Sequence, residues 1–346
     1  MVVRMRVCCL SEIMRKLIAG CIIALITAGV ILFSEFYPIL YRPLPRNANG
    51  TLRWVISLEK YATANSFVRD LKEKNLIQSS RLTLLYLRLL GYSNHLKAGI
   101  YEIKSGETAA QLIRRVVAGD VLVLPFRIVD GTTQSNLALQ VSSLPFLIQQ
   151  SNDWSKIAEG YPSAEGLLLA DTYHYEAGSQ STFLLKLAHQ ALMNVLNDAF
   201  AKRDPGLPYK TPYELLIAAS IIEKEASKPS EKRLISGVIV NRLRKHMPLQ
   251  MDPTVIYALG PQFRGKLTHD DLGVESPYNT YKHYGLPPTP IAMVDRDAID
   301  AAAHPAMTNY LYFVASGEGC HHFSESYAEQ KKAISDYKLK VEPCQN

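Results

Sequence analysis

One helix in this chain is predicted to be apolar on every side, and that pattern is typical of a helix buried at the centre of a fold. Thr211 followed by Pro212, with Glu214 three residues after Thr211, is a capping signal that predicts where the helix begins. At 100° per residue, the apolar side chains between positions 215 and 222 then spread around the whole circumference. The sequence therefore predicts a buried helix over residues 211–226.

This apolar helix also contains glutamates near its end. Glu223 falls on an apolar part of the wheel, whereas Glu225 projects about 160° away, so the two cannot flank one bond as the paired carboxylates of an ordinary glycosidase do. Burial disfavours the charged form and raises a carboxyl pKa, which suits a general acid. The pattern indicates Glu223 as a single desolvated acid. The alternative is that both glutamates form ion pairs at the end of a structural helix, with Lys224, Lys228, Lys232 or Arg233.

Two later segments are rich in proline and in residues suited to binding a sugar. Residues 247–257 contain two prolines beside Gln, Asp and Thr, and residues 276–291 are dense in Tyr, Asn, Thr and Pro. Proline restricts loops, and these polar and aromatic side chains supply the stacking faces and hydrogen bonds that a polyhydroxylated ligand requires. We interpret both segments as loops lining a saccharide groove. The alternative is two surface loops packed by their own tyrosines.

The remaining patterns predict an α+β fold in two parts. A small α/β unit is expected over residues 51–125, with strands at 53–58, at 99–103 and near Val121, and helices at 66–73, 81–90 and 108–118. A larger mixed α+β domain is expected over residues 126–335, followed by a tail, 336–346. Its predicted helices are 133–141, 182–203, 212–226, 231–245 and 297–303, and it contains a strand at 310–315.

The amino-terminal region predicts a membrane anchor. Residues 17–33 form an uncharged apolar run long enough to cross a bilayer, and Arg4, Arg6, Arg15 and Lys16 precede it. By the positive-inside rule, residues 1–16 stay cytoplasmic and the bulk of the chain is exported, with 34–50 as a linker. A cleaved signal peptide is the alternative, although no A-x-A site follows the run. Met14 is kept as an alternative start.

Composition restricts the remaining function classes. The net charge of +6 is mild, and no basic stripe with interleaved aromatic residues suggests nucleic acid. Of the five cysteines, only Cys320 and Cys344 are expected to meet an oxidant, and whether they pair is left open. His321 and His322 are adjacent and form a weak metal signal. Neither a metal nor a cofactor is expected.

Six ordered blocks resemble one family. They are IIEKEA, NRL, MPLQMDPTVIY, SPYNTY, GLPPTPI and YFVASGEGCHHF, in this order between positions 221 and 323. With AEGLLLADTYHY upstream, they resemble the endolytic peptidoglycan (murein) transglycosylase family, also called MltG or YceG-like. Residues 97–120 resemble the LysM-like portion of that family. The chain departs from the family pattern in Thr289 and in the segment after Phe323, which leaves the detailed groove shape open.

The resemblance implies a lytic transglycosylase, a lyase. Such an enzyme cuts the β-1,4 bond between MurNAc and GlcNAc in nascent peptidoglycan strands and leaves 1,6-anhydroMurNAc ends. The family's catalytic glutamate carries over to Glu223, and Asp252 either steadies an oxocarbenium ion or caps a helix. The resemblance also implies a periplasmic catalytic domain on the inner membrane and association with glycan polymerases and transpeptidases. The candidate substrate contacts are Gln250, Asp252, Thr254, Tyr257, Tyr278, Asn279 and Tyr281.

Two other functions remain open from the sequence. The chain could be a non-catalytic wall-binding protein that scaffolds a cell-wall synthase through the LysM-like module, since a fold does not by itself establish activity. It could also be a hydrolytic muramidase with Glu223 as the acid and Asp252 activating water.

Overall fold

The structure is a computed structural model that describes residues 2–45, 54–317 and 320–339. The chain divides into two compact units. The first comprises residues 1–123 and 176–178, and the second comprises residues 124–175 and 179–346. Cys344, the end of the predicted linker (residues 46–50) and most of the predicted tail (residues 340–346) lie outside the described residues.

The first unit is a small α/β body. β1 and β2 pair antiparallel, with Val55 opposite Glu102 and Leu58 opposite Gly99. The helices that follow the first begin at side-chain caps, namely Thr63, Ser79 and Thr108. The elements are α1 (Val2–Leu40), β1 (Val55–Leu58), α2 (Ala64–Glu73), α3 (Ser80–Leu89), β2 (Gly99–Glu102) and α4 (Ala109–Ala118).

The core of this unit lies between its sheet and its amphipathic helices. Phe67, Leu87, Tyr101 and Leu112 are among its fully buried side chains. Apart from the strand expected near Val121, the strands and helices predicted for this unit are present, with ends shifted by one or two residues. Likeness to a LysM module stays a prediction.

α1 carries the predicted membrane span. It is long and apolar enough to cross a bilayer from Met14 to Leu40, and every side chain from Met14 to Glu35 is exposed. This helix is compatible with a single-pass anchor. The helix also continues beyond the predicted span, because residues 34–40, predicted as linker, form its last two turns. The tertiary reason is Ile39, which packs into the core of the first unit.

The second unit contains the remaining elements. β3 pairs with β4, and β5 pairs antiparallel with β6 through a register shift after Ala315. The elements are β3 (Val123–Arg127), α5 (Gln134–Ser142), α6 (Asp153–Ile157), β4 (Thr172–Glu176), α7 (Ser181–Lys202), α8 (Pro212–Glu225), α9 (Lys232–Arg244), α10 (Asp252–Leu259), α11 (Arg296–Ala303), β5 (Tyr312–Gly317), β6 (Cys320–Ser324) and α12 (Tyr327–Leu339).

α8 lies at the centre of the second unit, as the sequence predicts. Thr211 caps it, and all its side chains from Leu215 to Glu223 are buried. α7, α9, α10 and α11 all pack against α8. Its apolar circumference is thus covered on every side, and each fully buried Leu or Ile contributes about 1.5–3 kcal/mol relative to exposure.

Two predicted elements differ from the structure. The strand expected near Val121 lies at residues 123–127, where it pairs with β4. The segment interpreted as a proline-rich loop becomes α10 from Asp252 onward. Pro253 lies in the first turn, where its missing N–H leaves no hydrogen bond unmade, and Val255 is fully buried. Proline here begins a helix instead of preventing one.

Candidate active site

Glu223 is not a lone acid. Its Oε2 lies 3.1 Å from Lys232 Nζ, and the same Nζ lies 2.8 Å from Asp295 Oδ2. The side chains of Glu223 and Lys232 are only 4% and 7% exposed. Asp295 also caps α11 by accepting from the Ala298 N–H at 2.7 Å. The prediction of a single unpaired acid at this position is therefore wrong, and the alternative of an ion pair describes its contacts.

The ion pairs of Lys232 with Glu223 and Asp295 connect three helices. Burial raises the pKa of Glu223, the neighbouring Asp295 carboxyl raises it further, and Lys232 opposes both. Although burial would lower the pKa of Lys232, its hydrogen bond to Asp295 and the Glu223 charge raise it. Lys232 therefore stays charged between two carboxyl groups. We call Glu223, Lys232 and Asp295 the clamp, because they join α8, α9 and α11.

Glu225 lies on the opposite side of α8, as the helical wheel predicts, and its surroundings differ. It is half-buried beside the backbone N–H of Asp252, at the first turn of α10. Burial raises the pKa of Glu225 to about 8, the Asp252 carboxylate adds to the shift, and Arg242 opposes it. Among the described residues, no cation forms an ion pair with Glu225. This side chain is therefore the unpaired, protonatable acid that the sequence predicted two positions earlier.

The two predicted groove segments meet beside Glu225. The Gln250 N–H donates to Thr280 O at 3.0 Å, and Gln250 has a positive φ of 52°. Tyr281 donates its hydroxyl hydrogen to Asp252 Oδ1 at 2.5 Å. Glu225 also affects the pKa of Tyr281, which burial raises well above its ordinary value. Gln250, Asp252 and Tyr281 are thus brought together, and Asp252 and Tyr281 lie beside Glu225 and not Glu223.

Arg242 donates hydrogen bonds to the backbone and to one side chain of the same region. It is buried, and its guanidinium donates to Leu249 O at 2.6 Å, to Leu311 O at 2.6 Å and to Gln250 Oε1 at 3.3 Å. The NRL motif of α9 therefore holds the backbone that leads into α10.

Thr254 and Asn279 lie in the interior of these segments. Both are fully buried. Thr254 Oγ1 bonds Met251 O and Thr280 Oγ1, and Asn279 Nδ2 donates to Leu272 O and Val274 O. These side chains hold the segments in shape, and the structure gives them no face toward solvent.

The last two predicted contacts, Tyr257 and Tyr278, belong to a tyrosine cluster. Their ring centroids are 4.8 Å apart, and Tyr278 shares a hydrogen bond of 2.9 Å with Thr289. Tyr257 donates to Glu165 Oε2 at 3.1 Å, and burial raises the pKa of Glu165. Both rings are partly exposed, so they offer stacking faces.

Glu165 is a residue that the sequence reasoning did not single out. It is 4% exposed and accepts hydrogen bonds from the Gln134 N–H at 2.8 Å and from Tyr257. Its partners come from segments 31 and 92 residues away along the chain, so no local pattern reveals its burial. The signal available was the Glu-Gly pair in the AEGLLLADTYHY block. Gly166 has a φ of +73°, and a Cβ there would lie 2.4 Å from Pro290 Cβ.

His321, predicted as part of a weak metal signal, contacts the Glu231 carboxylate. His321 Nδ1 lies 2.7 Å from Glu231 Oε2, and the His321 N–H donates to the other oxygen of that carboxylate. His322 is exposed on the neighbouring position of β6. Within the described residues, no three His, Cys, Asp or Glu side chains are placed to hold a metal ion.

Comparisons with known proteins agree on one family. The model of the YceG-like family matches residues 56–336. An endolytic murein transglycosylase of Bacillus subtilis (strain 168) is 27% identical over 336 residues, covering 90% of this chain and 91% of the relative. The enzyme of the same name from Streptococcus pneumoniae serotype 2 is 26% identical, and this chain spans 63% of its length. A crystal structure of a yceG-like protein from Listeria monocytogenes superposes with a TM-score of 0.52 at 27% identity, covering 81% of this chain and 98% of the other.

Proposed function

Because this chain belongs to the YceG-like family, we propose that it is an endolytic murein transglycosylase, a lyase that cleaves glycan strands of peptidoglycan. The bond cut is the β-1,4 linkage from MurNAc to GlcNAc, and the product is a 1,6-anhydroMurNAc end. The observation that supports this chemistry is Glu225, a half-buried carboxyl group with a pKa raised to about 8. Such a group holds a proton at neutral pH and can give it to a leaving oxygen.

We assign the general acid to Glu225 instead of Glu223. The carboxyl group of Glu223 is almost completely buried and forms an ion pair with Lys232, which Asp295 also contacts. Glu225 has no such partner among the described residues, and it lies beside the polar side chains that the sequence predicts as substrate contacts. An acid must reach the oxygen that it protonates, so access decides between the two.

The reaction needs one carboxyl group acting twice. Glu225 gives its proton to the glycosidic oxygen as the bond from that oxygen to C1 of MurNAc breaks, and the GlcNAc end leaves with a new hydroxyl. The carboxylate then takes the proton from the C6 hydroxyl of the same MurNAc while O6 bonds to C1. The acid is restored, and no water is consumed.

The neighbouring side chains have separate roles in this proposal. Asp252, held by the Tyr281 hydroxyl, places a negative charge near the developing oxocarbenium ion, and Gln250 offers its amide to the sugar. Tyr257 and Tyr278 supply ring faces on which sugar rings stack. Thr254 and Asn279 act indirectly, by holding the loops.

Location and partners extend the proposal. α1 anchors the protein in the inner membrane with its amino terminus in the cytoplasm, since Arg15 and Lys16 precede the apolar run. The second unit then acts on nascent strands in the periplasm and terminates their elongation, in association with glycan polymerases and transpeptidases. The LysM-like module contributes binding to the glycan.

The experiment compares Glu225→Gln with Glu223→Gln. Full-length protein is incubated with uncrosslinked glycan strands, and anhydro-ended fragments are counted by mass spectrometry. We expect the Glu225 variant to lose at least ~10²-fold in rate, because proton donation supplies about 10² to 10⁴. The Glu223 variant, assayed at a temperature where it is folded, should keep most of its activity. Activity lost only in the Glu223 variant would return the acid to that position.

Hydrolysis is the second candidate, because Asp252 places another carboxylate near Glu225. A water molecule activated by Asp252 would leave reducing ends and not anhydro ends. Digestion in ¹⁸O-labelled water distinguishes the two: incorporated label identifies a muramidase, and unlabelled anhydro ends identify a transglycosylase. Binding to glycan with neither product would favour a non-catalytic scaffold.

A further inference from the structure

The first unit contains a cavity of about 680 Å³ where α1 leaves its apolar run. Its walls are the last turns of α1 with the residues just after it, and the turn between α2 and α3. The backbone holds this wall in place, because the Leu44 N–H donates to Glu107 O at 2.7 Å. The side chains that matter for its chemistry are Glu35, Ile39, Arg42, Lys72, Leu76 and Ser79.

Along α1 the cavity begins within the headgroup layer of a bilayer and reaches the outer edge of that layer. With a rise of 1.5 Å per residue, Glu35 and Ile39 lie about 3 and 9 Å beyond Phe33, the last residue of the apolar run. The headgroup layer is about 5–8 Å thick on each side of the hydrocarbon core. Tyr37 is exposed within this layer, as is typical of residues at a membrane interface, and its ring centroid lies 5.3 Å from that of the exposed Tyr41.

The charges at the cavity favour an anion. Arg42 and Lys72 are both exposed, and neither forms an ion pair with a carboxylate in the part of the chain that the structure describes. Lys72 Nζ donates to Gln78 O at 2.7 Å, which holds it at the cavity and leaves two of its hydrogens available. Glu35 is the acidic lining residue, so the described lining carries a net charge of +1.

Neighbouring charges do not offset this balance. On α2, Arg69 pairs with Glu73, and Lys74 pairs with Asp70. The floor of the cavity is apolar, since Ile39 and Leu76 are 6% and 5% exposed. An amphiphile with a negative headgroup fits this combination of apolar floor and cationic rim.

We propose that this cavity binds the headgroup of an anionic phospholipid from the membrane that α1 crosses, with its phosphate between Arg42 and Lys72. The inference rests on α1 as a membrane span and is independent of the reaction at Glu225. A bound lipid fills the space between α1 and the α2–α3 turn and fixes the first unit at the bilayer surface.

The test uses full-length protein purified in detergent and titrated with lipid, with bound lipid counted by native mass spectrometry. The probes are phosphatidylglycerol, zwitterionic phosphatidylcholine and phosphate-free diacylglycerol. We expect retention in that order. Retention of diacylglycerol equal to that of phosphatidylglycerol would overturn the proposal.

Charge variants give the sharper result. Arg42→Gln with Lys72→Gln should weaken phosphatidylglycerol binding roughly tenfold or more, since each cation near a membrane anion contributes several-fold. Lys60→Gln with Arg114→Gln removes the same charge from the same unit outside the cavity, and should leave binding unchanged. Equal losses in both double variants would show a non-specific charge effect and would overturn the site.

Glu35→Gln is expected to strengthen binding, and a misfolded variant would not produce this result. It removes the only acid that lines the described cavity, so binding of phosphatidylglycerol should strengthen. Weaker or unchanged binding would contradict a phosphate at this position. Inorganic phosphate at millimolar concentration should not displace the lipid, and complete displacement would indicate an ion site in place of a lipid site.

Discussion

Two glutamates on α8, two positions apart, have opposite relations to their surroundings. Glu223 meets a cation and a carboxyl group inside the fold, and its ion pair with Lys232 is part of a network that joins three helices. Glu225 meets the start of α10 and is raised in pKa by burial without a paired cation. Because both carboxyl groups are desolvated, the difference between the paired Glu223 and the proposed acid Glu225 is set by their partners and by access.

The raised pKa of Glu225 predicts a pH dependence of the rate. A general acid must be protonated, and this group is protonated below its pKa of about 8. We expect turnover on glycan strands to be nearly constant from pH 6 to 7 and to fall by about tenfold per pH unit well above pH 8. A rate that rises through pH 8 would contradict protonated Glu225 as the reacting form.

The same shift predicts how Glu225 affects stability. Its pKa is about 8 in the fold and near 4.5 when unfolded, so between these values the folded state binds more protons. Stability from this group is thus present at low pH and is lost as the pH rises through 8. Glu225→Gln should raise the melting temperature relative to wild type at pH 8 and not at pH 4. Equal effects at both pH values would show that the carboxyl group does not titrate as described.

Lys232 allows a test of the clamp. Lys232→Met leaves Glu223 and Asp295 without their shared cation, and removing one partner of a buried ion pair typically destabilises by about 3–5 kcal/mol. Arg233→Gln is the matched control, since Arg233 and Asp300 form an exposed pair on the same helices that contributes at most about 1 kcal/mol. Urea unfolding measures both. Similar losses in the two variants would mean that the clamp does not stabilise the fold.

At the scale of elements, the packing of α8 against α10 forms the surroundings of Glu225. α8 packs against α10, so the first turn of α10 brings a backbone N–H to the end of α8 where Glu225 lies. The Glu165 segment reaches the other end of α10 through Tyr257. The contacts of one short helix therefore link the acid to the tyrosine cluster.

Gly166 permits a test of this arrangement. Gly166→Ala would place a Cβ 2.4 Å from Pro290 at a φ of +73°, so the segment that carries Glu165 must shift. We expect a loss of melting temperature and a raised KM for glycan strands, because Tyr257 loses its partner. Gly273→Ala is the control, since nothing lies within 4 Å of its Cβ position and its φ is not positive. A Gly166 variant as stable and active as the control would show that the close approach is not required.

At the scale of the whole molecule, the chain combines a helix long and apolar enough to span a membrane with a unit that carries the proposed general acid. The side chains of the apolar run of α1, residues 17–33, are all exposed, which is unfavourable in water and favourable in lipid. The proposed orientation rests on the basic residues before the span.

Arg15 and Lys16 give the test of orientation. Replacing both with Glu removes the positive charge beside the span, and the exported fraction should fall. Protease treatment of spheroplasts measures this fraction, since an exported second unit is digested and a cytoplasmic one is protected. Lys186→Glu with Lys202→Glu makes the same change of total charge at exposed positions far along the chain, and it is the control. Protection of the wild-type second unit would reverse the proposed topology.

The sequence by itself determined the elements whose signals are local. The Thr211 cap with the apolar circumference of α8 gave the central helix, the capping boxes at Thr63 and Thr108 accompany helices close to their predicted bounds, and the uncharged run gave the span of α1. The ordered blocks gave the family. These signals suffice because hydrogen bonding and side-chain periodicity within a helix depend on residues that are near each other in the chain.

Only the tertiary structure decided which of the two carboxyl groups is paired with a cation, and therefore which one we propose as the general acid. Periodicity places Glu223 and Glu225 on different sides of α8, but their partners come from elsewhere: Lys232 from α9, Asp295 from the start of α11 and Asp252 from α10. The same holds for Glu165, which pairs with a tyrosine 92 residues away. A pKa depends on burial and on charges within a few ångströms, and these distances are fixed when distant segments pack, not by their order in the chain.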